Sequence, residues 1–167
     1  SHGYTFSRPP MTIETMRESY PALLKKAGYR TGFVGKIGVA LENGATEEMF
    51  DFHRFAIASN KGNPYYRRAP DGTIKHMTRI NGDHAIEFLK SSKKTQPFCL
   101  SVSFSAPHPE DNNPDQYIYD RDLENLYVDA TIPPPPVSES QHFEALPEFI
   151  RVSMGRERWF RRFDTAE

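Results

Sequence analysis

Ser19-Tyr20-Pro21-Ala22-Leu23-Leu24-Lys25-Lys26-Ala27-Gly28-Tyr29-Arg30-Thr31-Gly32-Phe33-Val34-Gly35-Lys36 carries two elements joined by one glycine. Its first part predicts a short helix. Ser19 is a capping residue, Pro21 falls in the first turn where no donor is missed, and Gly28 suits a left-handed exit. Its second part, Tyr29 to Val34, predicts a strand ending at Gly35-Lys36. Helix, glycine and strand in that order is the grammar of a layered α/β protein.

The same grammar returns downstream. From about Met77 to Lys90, residues Met77, Ile80, Ala85, Phe88 and Leu89 fall on one helical face, with Gly82 weakening the pattern. Ser91 to Gln96 is polar and ends that element. Phe98-Cys99-Leu100-Ser101-Val102-Ser103-Phe104 then predicts a strand with few charges, suited to a sheet interior. Two helix-then-strand units favour a parallel or mixed sheet with covering helices, hence an α/β class.

The remaining segments read as connections. Residues 1–18, with Pro9 and Pro10, predict loop. Residues 37–75 hold no lasting period, and Phe50, Phe52 and Phe55 are the candidates to pin them to the body. Residues 105–136 contain Pro107, Pro109, Pro114 and the tetraproline 133–136, which predicts an extended polyproline II segment. Pro147 opens a last predicted helix, Glu148 to about Phe163, whose arginines 151, 156, 158, 161 and 162 form an exposed or ion-paired face. No internal repeat or domain boundary is visible, so residues 1–167 read as a single domain or part of one.

Composition bounds the function. The 167 residues hold 21 Lys+Arg and 22 Asp+Glu, for a formal charge of −1. No strong overall field is left to hold nucleic acid or an anionic membrane. Hydrophobic residues at 37% are few for a compact domain, but aromatics at 13% keep a packed core within reach. The longest apolar runs are only a few residues, so nothing spans a membrane. No basic then apolar leader opens the chain, and Ser1 in place of Met marks a processed, trimmed or partial product. The lone Cys99 cannot form an internal disulfide and, flanked by Phe98 and Leu100, reads as a small buried hydrophobe.

Ligands of open α/β sheets bind beyond the carboxyl ends of the strands. One predicted strand end gives Lys36, the other gives Ala106-Pro107-His108-Pro109. A lysine and an imidazole at neighbouring strand ends could grip a tetrahedral oxyanion, with the imidazole protonating a leaving oxygen. Taken singly, a solvated lysine and a backbone-bonded loop histidine are the plainer readings. Other motifs fail. A phosphate-cradling loop needs glycine where Arg30 stands and Ser or Thr where Ile37 stands. The acidic stretch Glu110, Asp111, Asp115, Asp120 and Asp122 lacks the glycine and final glutamate of a calcium loop and reads as solvated. Tyr65, Tyr66, Arg67 and Arg68 could meet a sugar and its anionic groups, or form a plain surface patch.

In order, these pieces resemble the sulfatase family. Ser19 to Lys36 resembles its second signature, in which an "LLKxAGYxT" helix and strand deliver a glycine-lysine pair. Phe50-Asp51-Phe52 looks like its aromatic "GFD" turn. Asp83-His84-Ala85-Ile86-Glu87-Phe88-Leu89 is similar to its "DxAIxFL" helix. Pro97-Phe98 through His108 is similar to "PFFLxxSFxAPH". The similarity runs in family order from about residue 2 to 165.

The resemblance implies a partial alkaline-phosphatase-like α/β fold, mostly parallel, and hydrolysis of a sulfate ester. It implies a formylglycine nucleophile, made from Cys or Ser in C/S-x-P-x-R, and a divalent metal, usually calcium. It gives Lys36 and His108 catalytic and substrate-binding roles on the sulfate, and implies a small-molecule or glycan sulfate ester as substrate. A periplasmic, secreted or secretory-route location also follows from it. Neighbouring readings are a phosphate-ester or phosphonate hydrolase of the same superfamily, or a non-catalytic relative that binds sulfated glycans.

The sequence also departs from the family. Lys36-Ile37-Gly38 stands where many members read G-K-W-H, so Gly38 is near the place of a histidine. No C/S-x-P-x-R occurs, and the metal-binding Asp pair and Asp-Asn-Gly are missing. No residue of this chain is therefore a predicted metal ligand. The chain reads as the middle of a catalytic domain, expected to be inactive and to fold poorly alone because sheet edges stay open.

Overall fold

The structure is a computed structural model of the 167-residue chain, and it describes residues 9–56, 65–110, 113 and 115–155. In chain order come α1 (Ile13–Arg17), α2 (Tyr20–Lys26), β1 (Arg30–Gly35), α3 (Ala45–Met49), β2 (Phe52–Phe55), β3 (Tyr66–Arg68) and β4 (Ile74–His76). They are followed by α4 (Met77–Ser91), β5 (Phe98–Ser103), a 3₁₀ turn at Arg121–Leu123, α5 (Ser140–Glu144) and α6 (Glu148–Arg151).

The predicted helix–glycine–strand unit is present as α2, Gly28 at φ +89° and β1. Ser19 takes the N-cap position, but its hydroxyl donates back to the Met16 carbonyl at 2.6 Å instead of capping α2. The expected loop at the N-terminus is partly wrong. Thr12 accepts the Thr15 N–H at 3.2 Å and starts α1, which buries Met16.

Among the described residues β1 is the middle of a three-stranded sheet, β2-β1-β5, parallel throughout. A separate antiparallel pair, β3-β4, lies before α4. The α/β class and parallel sheet agree with the sequence reading. β2 is a departure from that reading, because its four residues sit inside a stretch with no period. β5, expected in the sheet interior, is an edge strand among the described residues, with Phe98 exposed and Cys99 half-buried instead of buried.

Alternation along β1 builds a layer on each face of the sheet. On one face the Thr31 hydroxyl donates to the Met49 carbonyl at 2.7 Å. Phe33 there meets Phe50 and Phe55 at ring separations of 5.4 and 5.6 Å, beside a core of Met16, Ala22, Ala45 and Met49. The expected pinning by Phe50 and Phe55 is thus observed. On the other face Phe88 of α4 is fully buried against Gly32, where an added Cβ would stand 2.7 Å from the ring. Phe52 and Phe98 meet Phe88 at 5.6 and 5.8 Å, and the Arg30 guanidinium lies 4.4 Å from the ring centre. Burying such a ring is worth about 2–3 kcal/mol.

α4 runs unbroken through Gly82, with Met77, Ile80 and Phe88 buried as expected and Leu89 exposed. The long C-terminal helix is not observed. α6 ends at Arg151, α5 precedes it unforeseen, and the rest of the predicted helix from residue 156 lies outside the described residues.

Candidate functional site

The parallel register aligns Gly35 of β1 with Ser103 of β5, so both strands end at one edge of the sheet. Lys36 follows immediately and is half-buried, its backbone N–H donating to the Ser103 carbonyl at 2.8 Å. Gly35 makes this closeness possible. Its φ is +103°, and an added Cβ would lie 2.0 Å from the Ser103 carbonyl oxygen.

From Ser103 the chain leaves through Ser105, which is buried, to an exposed His108. The His108 N–H donates to the Ser105 carbonyl at 2.8 Å and closes a tight turn. The ring Nδ1 lies 2.7 Å from the Pro109 carbonyl oxygen. A carbonyl only accepts, so Nδ1 carries the proton in that contact. Both predicted site residues thus leave the carboxyl ends of adjacent strands.

Tyr65 fixes the histidine loop. Its hydroxyl donates to the His108 carbonyl, and its ring, 4% exposed, stacks on His76 at 5.2 Å. Burial, and then the Glu110 charge, push the Tyr65 hydroxyl above the ordinary phenol range. His76 is itself held on both nitrogens: Nδ1 accepts the Thr78 N–H at 3.3 Å, so Nε2 donates to the Ile118 carbonyl at 3.0 Å. Tyr66 accepts the Arg121 N–H at 2.8 Å and donates to the Tyr119 carbonyl at 3.2 Å. A cleft of about 450 Å³ opens beside this loop, lined by Tyr65, Tyr66, Glu110 and Arg121 among others.

The positioning role of Tyr65 could not be read from sequence, since a lone tyrosine in an aperiodic stretch carries no sign of a partner 43 residues away. The acidic stretch is not uniformly solvated either. Asp120 is buried against Arg79, whose guanidinium, more than burial opposes it, holds the carboxyl below its usual range. Asp111 lies outside the described residues.

Among the described residues no group of three or more His, Cys, Asp or Glu is arranged to hold a metal ion. The donors present do not fit the calcium that the resemblance implies, which needs six or more oxygens. Among these residues no helix is long and apolar enough to cross a membrane.

N-acetylglucosamine-6-O-sulfatase of Bacteroides thetaiotaomicron is 31% identical over 114 residues, 65% of this chain and 20% of that protein. The solved structure of BT4656 in complex with its substrate, D-glucosamine-2-N,6-O-disulfate, is 27% identical, with a TM-score of 0.44 over 71% of this chain and 23% of the other. The chain thus spans about a fifth of the length of these relatives. The family model described as Sulfatase matches residues 2–130, and the chain belongs to the sulfatase family.

Proposed function

We propose that these residues form the middle of one catalytic domain of a sulfuric ester hydrolase, with Lys36 and His108 on the sulfate of a glycan sulfate ester. The observation that carries this reading is the register of β1 on β5, which starts Lys36 and the His108 loop from one sheet edge. The matched relative, named for action on an amino-sugar sulfate, supports the substrate class.

The chemistry follows from the residues. The Lys36 ammonium is a compact charge with three donors, suited to sulfate oxygens that gather charge as the ester bond breaks. His108 keeps its Nδ1 proton on the Pro109 carbonyl, so a second proton, on Nε2, is the one delivered to the leaving alkoxide. The nucleophile belongs to this proposal only by family. No C/S-x-P-x-R occurs in the 167 residues, so a formylglycine would come from another part of a longer polypeptide, as would metal ligands. By itself the chain is inactive on this reading.

The test is sulfate release from D-glucosamine 6-O-sulfate by the protein at its full encoded length. Lys36→Ala and His108→Ala should each lower kcat/KM by about 100-fold or more. Wild-type rates in both variants would remove the assignment. Faster turnover of a phosphate ester would favour phosphate chemistry, and binding without release would favour a non-catalytic relative.

A further inference from the structure

His76 closes β4 and opens α4, and it is 3% exposed. Both ring nitrogens are bound to backbone. Nδ1 accepts the Thr78 N–H at 3.3 Å and so caps α4, and Nε2 donates to the Ile118 carbonyl at 3.0 Å. The Tyr65 and Tyr66 rings lie against it at 5.2 and 5.3 Å. The usual caps, Ser, Thr, Asp and Asn, offer an oxygen to the helix. A histidine can cap only while Nδ1 is free of a proton.

Both sides of this ring lead to His108. Tyr65, stacked on His76, donates its hydroxyl to the His108 carbonyl. Ile118 lies on the returning limb of the same loop, and the Glu110 N–H joins the two limbs by donating to the Gln116 carbonyl at 2.7 Å. Further along, Arg79 of α4 pairs with Asp120 and, at 3.1 Å, with Asp122. The Arg79 guanidinium holds the Asp120 carboxyl below its usual range, so Asp120 stays charged where an imidazole gains its proton. Asp120 thereby offers the counter-charge that a buried imidazolium requires. Among the described residues, the titratable and charged groups that face His76 are Tyr65, Tyr66 and Asp120, with Arg79 behind Asp120.

We propose that His76 is a positioning residue for His108, its neutral ring acting as a proton-sensitive latch on the loop from residue 108 to 122. A proton taken from solvent at Nδ1 turns the acceptor into a donor that faces the Thr78 N–H. The cap is lost, and the ring leaves its place between Thr78 and Ile118 for Asp120. The loop then loses its bond at Ile118 and the ring on which Tyr65 rests. The sign is opposite to that at His108, where the proposed reading needs a proton on Nε2. For turnover the latch rests on that His108 reading; as a latch it rests on the contacts of His76 alone.

The experiment is hydrogen exchange of the full-length protein, read by mass spectrometry from about pH 7.5 to about pH 5, the window in which an imidazole ordinarily changes charge. His76→Asn keeps an oxygen for the Thr78 N–H, His76→Gln keeps a donor at the reach of Nε2, and neither takes up a proton. After correction for intrinsic exchange rates, the wild type should lose protection roughly fivefold or more toward acid in peptides around His108 and Ile118, but not in β1 or β5. Neither His76 variant should show that step, and His108→Gln should keep it. The kcat/KM for sulfate release should fall toward acid in the wild type and fall less in both His76 variants. No step in the wild type, a step that survives in both His76 variants, or one shared equally by β1 and β5 would overturn the latch. Should the step behave as expected while His108→Gln keeps full sulfate release, the latch stands and the His108 reading fails.

Discussion

The backbone N–H of Lys36 donates to the Ser103 carbonyl at 2.8 Å, fastening the end of β1 to the end of β5. This bond uses no side-chain atom of Lys36. Truncating the side chain therefore separates chemistry from architecture. Lys36→Ala is expected to lower sulfate release about 100-fold or more, as losses of single charge-stabilising groups do, with the thermal midpoint of the full-length protein unmoved. Parallel kinetics and melting curves check both halves. A large fall in the midpoint would mean that the ammonium supports the fold.

Gly35→Ala should do the opposite. An added Cβ lies 2.0 Å from the Ser103 oxygen and 2.8 Å from its carbon, on a backbone at φ +103°. Backbone atoms cannot step aside as a flexible side chain can, so the strands must part where the site is built. A loss of about 3 kcal/mol or more follows from strain together with lost pairing. Denaturant midpoints measure it. A variant as stable as the wild type would show that β1 and β5 are not this close.

What could be read beforehand divides along physical lines. α2, β1, α4 and β5 announce themselves through local signals: Pro21 in a first turn, Gly28 at an exit, apolar residues at helical spacing, and the uncharged run at Phe98. β2 does not, because its four residues are ordered by pairing with β1, a non-local term that no short window contains. α1 carries no strong local signal, because its apolar content is slight and its start depends on the Thr12 cap. Lys36 and His108, the proposed site residues, follow strand ends that the sequence marks. The hydroxyl of Tyr65 on the His108 carbonyl exists only once the chain has folded.

Asp51 ties α2 to β1 and should make the fold acid-sensitive. Burial alone would raise its carboxyl, but the Thr31 N–H at 2.9 Å and the Lys25 ammonium at 3.0 Å outweigh it, and the group sits below its ordinary value of 3.8. A carboxyl lowered in the folded state contributes stability above the unfolded value, and that share is lost as pH falls through the folded value. The loss should therefore appear below about pH 4. Because the side chain is about a third exposed, Asp51→Asn should cost about 1 kcal/mol at neutral pH and flatten the acid limb of the stability curve. Urea titrations from pH 2 to 7 would expose the idea as wrong if both proteins lost stability in parallel.

Phe88 joins α4 to the sheet through Gly32, Phe52, Phe98 and Arg30. It is fully buried, and the glycine beneath it cannot fill the space left by truncation. Phe88→Ala should cost about 3–5 kcal/mol, and Phe88→Leu less. Stability measured by urea unfolding decides between this and a loosely packed helix, for which the two variants would be nearly alike.

If His108 acts as proposed, Tyr65→Phe separates positioning from catalysis at the histidine. The Tyr65 hydroxyl holds the His108 carbonyl, while the imidazole meets the Pro109 carbonyl through Nδ1 and, on the proposed reading, acts through Nε2. Tyr65→Phe keeps the ring that stacks on His76 and removes only that bond, so the fold should lose about 1 kcal/mol. The His108 loop then samples more positions, and proton delivery to the leaving oxygen becomes the affected step. A fall in kcat of roughly tenfold is expected, with KM little changed. Substrates with better leaving groups need that proton less, so the deficit should shrink as the leaving group improves. A deficit of equal size across such a series would place the tyrosine in the stability of the loop alone, with no part in aiming the imidazole.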